Sequence, residues 1–329
     1  MGNVANWPFG QCCVSEGNQL DAKPFRAVRG LLAWKYSVAG VSTPGVPLVF
    51  TGRLEGEAVQ IVSSGLSDVG RVRTNNEDSF RVVEPIGLFI LSDGMGGEAH
   101  GEVASAMAVD IIQKYCETEK EDSGVTMLEG TPENWTSQTR RLRNAVRQAN
   151  YLIYQSAQKN PEQRGMGATV TTAWLKESAL SIAHVGDSRA YLLRSGNLQQ
   201  LTNDHSLVAE QVRRGLITPQ QAEESEMQSV LLRALGAHAE VEVDVDEVEI
   251  YPRDVLLLCS DGLTRMVTEP EIAGTLQAET APSAAAEKLV ALANENGGID
   301  NVTVIVVRFE DEANKGWFSW MRRGAAKKD

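Results

Sequence analysis

Cysteine and long apolar runs are both scarce in this sequence of 329 residues. Its 4 cysteines have no metal-ligand spacing and two of them are adjacent, which favours a reducing compartment over a disulfide framework. The stretch closest to a membrane span, 31–50, is interrupted by Lys35, Pro44 and Pro47. We therefore predict a cytoplasmic protein without a membrane span.

Positive charge is scarce as well. Lysine and arginine total 31 against 44 aspartates and glutamates, which gives a net charge of −13 at pH 7. The phosphate backbone of a nucleic acid would be repelled, so we predict no nucleic-acid partner. Part of the excess of negative charge can be explained by carboxylates that face bound cations. The alternative explanation is that the charge serves ordinary solubility.

The apolar pattern divides the chain into three parts. Core-like patterning covers 59–310, and we predict one domain there. Residues 1–58 show weak periodicity and are predicted to be an extension of uncertain order. The C-terminal tail, 311–329, combines aromatic and basic residues and is either a docking segment or a frayed end, of which we favour the frayed end.

Short turns between strand-like runs predict an antiparallel fold. Helical spacing of apolar residues occurs at 102–115 and 138–158. The runs 168–175, 179–184 and 189–193 are strand-like, and the turns between them are too short for parallel crossovers. We therefore predict an α+β architecture in which an antiparallel β-sandwich is covered by helices.

Acidic residues next to strand-like runs are the most informative feature. Asp93 and Asp261 each follow an apolar run, as does Asp187, and Asp300 opens another such run. Carboxylates collected at one rim of a sheet repel each other unless cations lie between them. Because oxygen ligands suit magnesium and manganese, the pattern predicts a metal-dependent hydrolytic site.

Two further stretches of the sequence contain residues that could bind a phosphate or a metal ion. Arg73 lies four residues before Glu77, so a guanidinium can hold a phosphate while the carboxylate holds a metal beside it. Asp93 is followed by Gly94, whose carbonyl a ligand can approach closely. Taken singly, a solvated loop and a tight turn explain the two stretches equally well.

Seven motifs in a fixed order raise the specificity of this pattern. They are Arg-x-x-x-Glu-Asp, Ser-Asp-Gly-Met-Gly-Gly, Gly-Met-Gly-Ala-Thr-Val-Thr, Val-Gly-Asp-Ser-Arg-Ala-Tyr, Asp-His-Ser, Ser-Asp-Gly-Leu and Asp-Asn-Val-Thr. With them the chain resembles the PPM, or PP2C-like, serine/threonine protein phosphatases in their compact bacterial form. The resemblance covers about residues 60–309, which is nearly the whole core.

The resemblance implies a centre of two metal ions, Mn²⁺ or Mg²⁺. Asp93 would bridge both ions, and the Gly94 carbonyl would bind one of them. Asp261 and Asp300 would complete one shell, and Glu77 would serve the other. The ions would activate a water that attacks phosphorus without a covalent intermediate.

The resemblance also implies roles around the metals. Asp187 would belong to a third, weaker metal site, and Arg73 would grip the substrate phosphate. Asn301 would orient Asp300 from a second shell. The stretch 206–235 would form a flap that shapes substrate access.

A four-layer α-β-β-α fold and a protein phosphatase activity on phosphoserine and phosphothreonine follow from the same resemblance. The expected partners are phosphorylated proteins and a cognate serine/threonine kinase, and the expected state is a monomer. Met95 stands where eukaryotic relatives carry a histidine proposed as general acid, so the leaving group would take its proton from water or elsewhere.

Three rival interpretations stay open at this point. Cys259 and Arg265 fit the Cys-x5-Arg spacing of cysteine-dependent phosphatases, although Asp261 between them would repel phosphate and burial would raise the pKa of the thiol. A non-catalytic phosphoprotein-binding module is the second, which the full set of acids disfavours. A metal-dependent phosphodiesterase or nuclease is the third, which the negative charge disfavours.

Overall fold

Strands and helices come in blocks along the part of the chain that the computed structural model describes, which is 48–53, 59–96, 100–118 and 135–311. The strands found there are β1 Leu48–Arg53, β2 Val59–Asp68, β3 Asp78–Val83, β4 Leu88–Met95, β5 Gly167–Ala168, β6 Val170–Lys176, β7 Ala179–Val185, β8 Arg189–Arg194, β9 Asn197–Gln200, β10 Asp244–Glu249, β11 Val255–Cys259 and β12 Val302–Asp311. The α-helices are α1 Gly101–Glu117, α2 Ser137–Lys159, α3 Leu207–Arg213, α4 Pro219–Glu223, α5 Asp261–Thr264, α6 Glu269–Ala278 and α7 Pro282–Glu295.

The strands form two antiparallel sheets. The first sheet has the order β1-β2-β12-β11-β8-β9, and the second has the order β10-β7-β6-β4-β3, with β5 paired to the end of β4. Tight hairpins join β6 to β7 and β8 to β9, as the short turns predicted. The predicted α+β fold with an antiparallel sandwich is confirmed.

Alternation along the central strands builds the layers. On β4, Phe89 belongs to the apolar cluster between the sheets, whereas Leu88 packs with α1 and α2. On β11, Leu256 lies between the sheets and Leu257 packs beneath α5, α6 and α7. Because successive side chains of a strand point to opposite faces, a continuous apolar run fills both sides of each sheet. The result is the helix–sheet–sheet–helix order that was predicted.

Local capping and proline set the limits of the long helix α2. The Thr136 hydroxyl accepts a hydrogen bond from the Thr139 backbone N–H at 3.2 Å, which satisfies one of the free donors of the first turn. The helix ends at Lys159, two residues before Pro161, close to the predicted range 138–158. Among the described helices, none has the length and apolar character needed to cross a bilayer.

Two boundaries differ from the sequence prediction. Strand β1 pairs with β2 although it lies in the range 1–58, because backbone hydrogen bonding to a sheet edge needs no apolar repeat. Strand β4 does not end before Asp93 but continues to Met95, since β3 and β5 supply partners for its last residues. The rest of 1–58 and the tail from 312 lie outside the described residues, so their predicted character stays a prediction.

Candidate metal centre

A cavity of about 390 Å³ opens at one end of the sandwich. Asp261 follows β11 and Asp300 precedes β12, so both residues lie at the same edge of the first sheet and face this cavity. Asp93 lies near the end of β4 in the second sheet. The cavity is lined by Arg73, Thr74, Asn75, Glu77, Asp93, Gly94, Met95, Gly96, Thr169, Asp187, Ser229, Leu231, Asp261, Arg265, Asp300 and Asn301. All eight residues that the sequence singled out therefore line one cavity.

Asp93 is held by β3 on one side and by Thr169 on the other. Its backbone N–H donates to the Thr169 hydroxyl at 3.1 Å, and its carbonyl accepts from the Thr169 N–H at 2.8 Å. Its Cα partner on β3 is Asp78, another acid. Burial raises the pKa of Asp93 well above its usual range, and the charge of Asp78 adds to the rise. A buried carboxylate in such surroundings favours a bound cation.

Glu77 and Gly94 are joined by the backbone and by close packing on α1. The Gly94 N–H donates to the Glu77 carbonyl at 3.1 Å, and the Ser105 hydroxyl donates to the same carbonyl at 2.6 Å. A Cβ at Gly94 would lie 2.2 Å from the Gly101 carbonyl oxygen, so no larger residue fits. The close approach of this backbone is therefore built into the sequence.

Asp261 and Asp300 share the guanidinium group of Arg265, and Asp300 also pairs with Arg73. Arg73 Nη2 donates to Asp300 Oδ2 at 2.9 Å, and Arg265 Nη1 lies 3.3 Å from Asp261 Oδ2 and 3.5 Å from Asp300 Oδ2. The other oxygen of Asp261, Oδ1, is buried and has no hydrogen-bond partner among the described residues. Since a buried anionic oxygen without a partner is strongly unfavourable, this atom fits a metal ligand.

Asn301 connects the loop before β12 to the loop before β3. Its side-chain amide donates to the carbonyls of Val69 and Asn75 at 3.0 and 2.9 Å, and its side-chain oxygen accepts from the Glu77 N–H at 2.8 Å. Asp300 Oδ1 accepts from the backbone N–H of Asn301 at 2.9 Å. The contact predicted between these two residues thus comes from the backbone, while the Asn301 side chain fixes the Glu77 loop.

Burial and mutual repulsion shift other carboxyl groups. Burial raises the pKa of Asp187 to about 8, and the charge of Asp261 adds to that rise. Burial raises the pKa of Asp78 to about 7, against the hydrogen bonds from Thr303 and Ser260 that lower it. Both groups would ionise more readily beside a cation.

Water would have to complete any metal shell at this site. In the described part of the chain, no three His, Cys, Asp or Glu side chains converge tightly enough to enclose one ion. Magnesium-like ions commonly keep several waters and bind through one or two carboxylates. The all-oxygen donor set and the unsatisfied Asp261 oxygen therefore fit such ions.

Comparisons with known proteins agree with this geometry. The family described as Protein phosphatase 2C matches residues 70–295. This chain belongs to the protein phosphatase 2C family. The serine/threonine phosphatase stp of Listeria welshimeri is 41% identical over 246 residues, which covers 73% of this chain and 93% of the relative. The protein phosphatase PstP of Mycobacterium tuberculosis is 40% identical over 246 residues, covering 74% of this chain and 44% of PstP.

Solved structures of the family show the same fold. The M. tuberculosis PstP structure has a TM-score of 0.68 and 37% identity, and the match covers 77% of this chain and 99% of that one. A structure of the PstP catalytic domain with two manganese ions has a TM-score of 0.65 and 36% identity, with 77% and 99% coverage. Stp1 from Staphylococcus aureus has a TM-score of 0.68 and 34% identity, with 79% and 99% coverage.

The thiolate alternative fails in this phosphatase 2C fold. Cys259 is completely buried on β11, and burial raises the pKa of its thiol to about 12. A neutral thiol inside the sheet cannot attack a phosphate. Arg265, the other half of the apparent motif, lines the cavity beside the carboxylates.

The flap, residues 206–235, borders the cavity through Ser229 and Leu231. Its two ends are tied by backbone hydrogen bonds, from the Leu207 N–H to the Val230 carbonyl at 2.8 Å and from the Leu232 N–H to the His205 carbonyl at 2.7 Å. It holds the short helices α3 and α4.

Sequence reasoning missed three residues of this phosphatase 2C site. Asp78 accepts a hydrogen bond from the Ser260 hydroxyl at 2.8 Å, behind the cavity wall. Arg265 touches two of the predicted metal ligands. The signals were present, because Asp78 and Ser260 each adjoin a predicted ligand and Arg265 stands one helical turn after Asp261.

Proposed function

We propose that this chain, a metal-dependent protein serine/threonine phosphatase, uses the cavity to hydrolyse phosphoserine and phosphothreonine on proteins. One observation carries the proposal. Five acidic residues and the phosphate-binding candidate Arg73 line the same cavity, where a buried Asp261 oxygen has no partner among the described residues. The serine/threonine phosphatases among its relatives support the substrate class.

Two divalent ions, manganese or magnesium, would be held by the chain's oxygens. Asp93, Asp261 and Asp300 would supply oxygens to one ion, and Asp93, the Gly94 carbonyl and Glu77 to the other. Water would complete both shells, because no three of these side chains enclose an ion by themselves in the described structure. Two manganese ions in a structure of PstP support this number. When bound, such ions lower the pKa of water and stabilise the charge that develops on the phosphoryl oxygens.

Arg73 would bind and orient the substrate phosphate. Its side chain is 53% exposed and reaches the cavity rim, where it donates to Asp300. An exposed guanidinium can turn its remaining donors to two phosphate oxygens in a planar fork. Met95, which also lines the cavity, has no proton to give, so the leaving alkoxide would take its proton from water.

The biological setting is proposed from the chemistry of the substrate. Phosphoserine and phosphothreonine are made by serine/threonine kinases, so such a kinase is the proposed counterpart. The cysteine content of the sequence supports a cytoplasmic location. The third, weaker metal site at Asp187 is implied by the family resemblance alone, and Arg265 lines the cavity together with Asp187. A monomeric state stays a prediction.

The test is hydrolysis of a phosphothreonine peptide with Mn²⁺ and with a chelator. We expect metal-dependent release of phosphate, and a loss of about a thousandfold in Asp93→Asn because one metal ligand is neutralised. Asp110→Asn is the matched control, since Asp110 is exposed on α1 and its ion pair, in the described part of the chain, is with Arg81.

Three outcomes would contradict the proposal. A folded protein that binds phosphopeptide without turnover under any metal would be a binding module. Turnover that resists the chelator would exclude the metal mechanism. A phosphodiester cleaved faster than the phosphothreonine peptide would place the protein among phosphodiesterases.

A further inference from the structure

Arg265 lies inside the candidate metal centre but is not one of its proposed metal ligands. It caps the C-terminal end of α5, one turn after Asp261. In the described residues, Arg73 and Arg265 are the arginines that line the cavity, against five acids. Arg265 therefore places a guanidinium, a fixed positive charge, within this cluster of acids.

The contacts of Arg265 reach across the cluster. Its Nη1 lies within 4 Å of carboxylate oxygens of both Asp261 and Asp300. A third acid, Asp187, lines the same cavity. One cation therefore contacts two acids and shares the cavity with a third. The three acids would otherwise repel one another.

Arg265 differs from Arg73 in exposure and in its contacts. The Arg73 side chain is 53% exposed and ion-pairs with Asp300 alone, which suits a residue that leaves its partner to bind substrate. The Arg265 side chain is 20% exposed and engages the Oδ2 atoms of both Asp261 and Asp300. It leaves Asp261 Oδ1 without a partner, so it neutralises the carboxylate while keeping one oxygen for a ligand.

We propose that Arg265 is a built-in positive charge that takes the place of a third divalent ion beside Asp187 and Asp261. The centre of this chain would then hold two ions, because a fixed guanidinium both satisfies the local negative charge and repels a further cation. The inference rests on the proposed two-metal function and specifies how many ions that function uses.

The experiment is a calorimetric titration of the metal-free protein with Mn²⁺, which gives the number of bound ions and their affinities. Wild-type protein is expected to bind two ions. Arg265→Gln is expected to bind a third, at least about tenfold more tightly than any third ion in wild type. The melting temperature of the metal-free variant is expected to fall, because repulsion among the acids is no longer offset.

Two matched variants separate charge from shape. Arg265→Lys keeps the charge, so it is expected to bind two ions as wild type does. Arg81→Gln removes an exposed arginine that pairs with Asp110 on α1, and it is expected to change neither the ion count nor the affinities.

Each outcome decides the inference. Wild-type protein that binds three ions, or an Arg265→Gln variant that binds the same two with unchanged affinity, overturns it while leaving the phosphatase proposal standing. Loss of ions in Arg265→Gln also overturns it, since Arg265 would then only position Asp261. Wild-type protein that binds no Mn²⁺ defeats the metal centre itself, and this inference with it.

Folding of the variant provides a second readout. If Arg265→Gln does not fold without metal, saturating Mn²⁺ is expected to restore the fold, because ions would replace the missing charge. Arg265→Asn, which leaves room for water, is expected to behave in the same way. Neutral variants that stay unfolded at saturating Mn²⁺ overturn the inference.

Discussion

The metal centre and the flap border the same cavity but are held in opposite ways. Around the metal centre, Asn301 alone joins three separate backbone positions, and Asp93 is fixed on both sides of its peptide by Thr169. In the flap, most side-chain bonds are local, such as the Thr218–Gln221 capping box. The flap is tied to the sandwich mainly at its ends.

This difference indicates how the two regions divide the work of the enzyme. Catalytic oxygens must be held within a few tenths of an ångström, and bonds between distant parts of the chain achieve that. A surface that contacts varied protein substrates gains from exposed side chains and local structure. We therefore expect substitutions in the metal centre to abolish hydrolysis. Substitutions in the flap should instead alter the choice of substrate.

The largest expected effect comes from Gly94→Ala. The added Cβ would meet the Gly101 carbonyl oxygen at 2.2 Å, so the backbone that carries a proposed metal ligand must move. We expect kcat/KM on a phosphothreonine peptide to fall by at least about a hundredfold. Gly274→Ala on α6 is the control, because nothing lies within 4 Å of its Cβ and the helix should gain about 0.5–1 kcal/mol. Similar activity in both variants would contradict the rigidity argument.

The next effect is expected at Asn301→Ala. Loss of its bonds to Val69, Asn75 and Glu77 frees the loop before β3, while the Asp300 contact from the backbone remains. We expect affinity for Mn²⁺ to fall by about 10- to 100-fold, as for other residues that support metal ligands. Calorimetric titration measures this, with the exposed Asn197→Ala as control. Unchanged affinity would show that the Glu77 loop needs no such support.

The buried residue His184, which lies between the metal centre and the flap, predicts how the stability of the protein depends on pH. His184 Nε2 lies 3.0 Å from the Gly186 carbonyl oxygen, beside the metal centre, and 3.2 Å from that of Asn203, before the flap. Burial lowers the pKa of His184 to about 4, and the nearby ring of His205 adds to this effect. Between pH 6.5 and 4 the unfolded chain therefore binds a proton that the folded chain does not, so stability falls as the pH falls.

The size of this effect can be measured by denaturant unfolding of the metal-free protein. The loss of folding free energy caused by His184 is expected to reach about 3 kcal/mol at pH 4 and to be absent above pH 7. His184→Gln, which has no proton to gain, should show a weaker loss of stability over the same range. Parallel curves for variant and wild type would mean that His184 is already charged in the folded protein.

The smallest effect is expected in the flap. Met227 is 55% exposed, and its neighbours Ser229 and Leu231 line the cavity. We expect Met227→Ala to change kcat/KM on a phosphorylated protein by about two- to fivefold through lost apolar contact, and hydrolysis of a small aryl phosphate by less than about twofold. Leu216→Ala, at a 68% exposed position elsewhere in the flap, is the control. Equal losses on both substrates would place Met227 in the chemistry.

Much of the fold could be predicted because its signals are local. The helical spacing around 138–158, the proline that follows it and the short turns after 176 and 194 each act within a few residues. The strand β1 could not be predicted in this way, because its partner β2 supplies the pairing.

The sequence by itself identified the residues that line the cavity and that we propose to carry the chemistry. Acids beside apolar runs and glycine after Asp93 are fixed by local chemistry, and seven ordered motifs marked them as one set. Only the tertiary structure decided which atoms meet: the unpartnered Asp261 Oδ1, the Asn301 amide on the Glu77 loop and Arg265 between two aspartates. Those contacts join residues from different strands and loops, so their distances depend on how the two sheets pack and not on spacing along the chain.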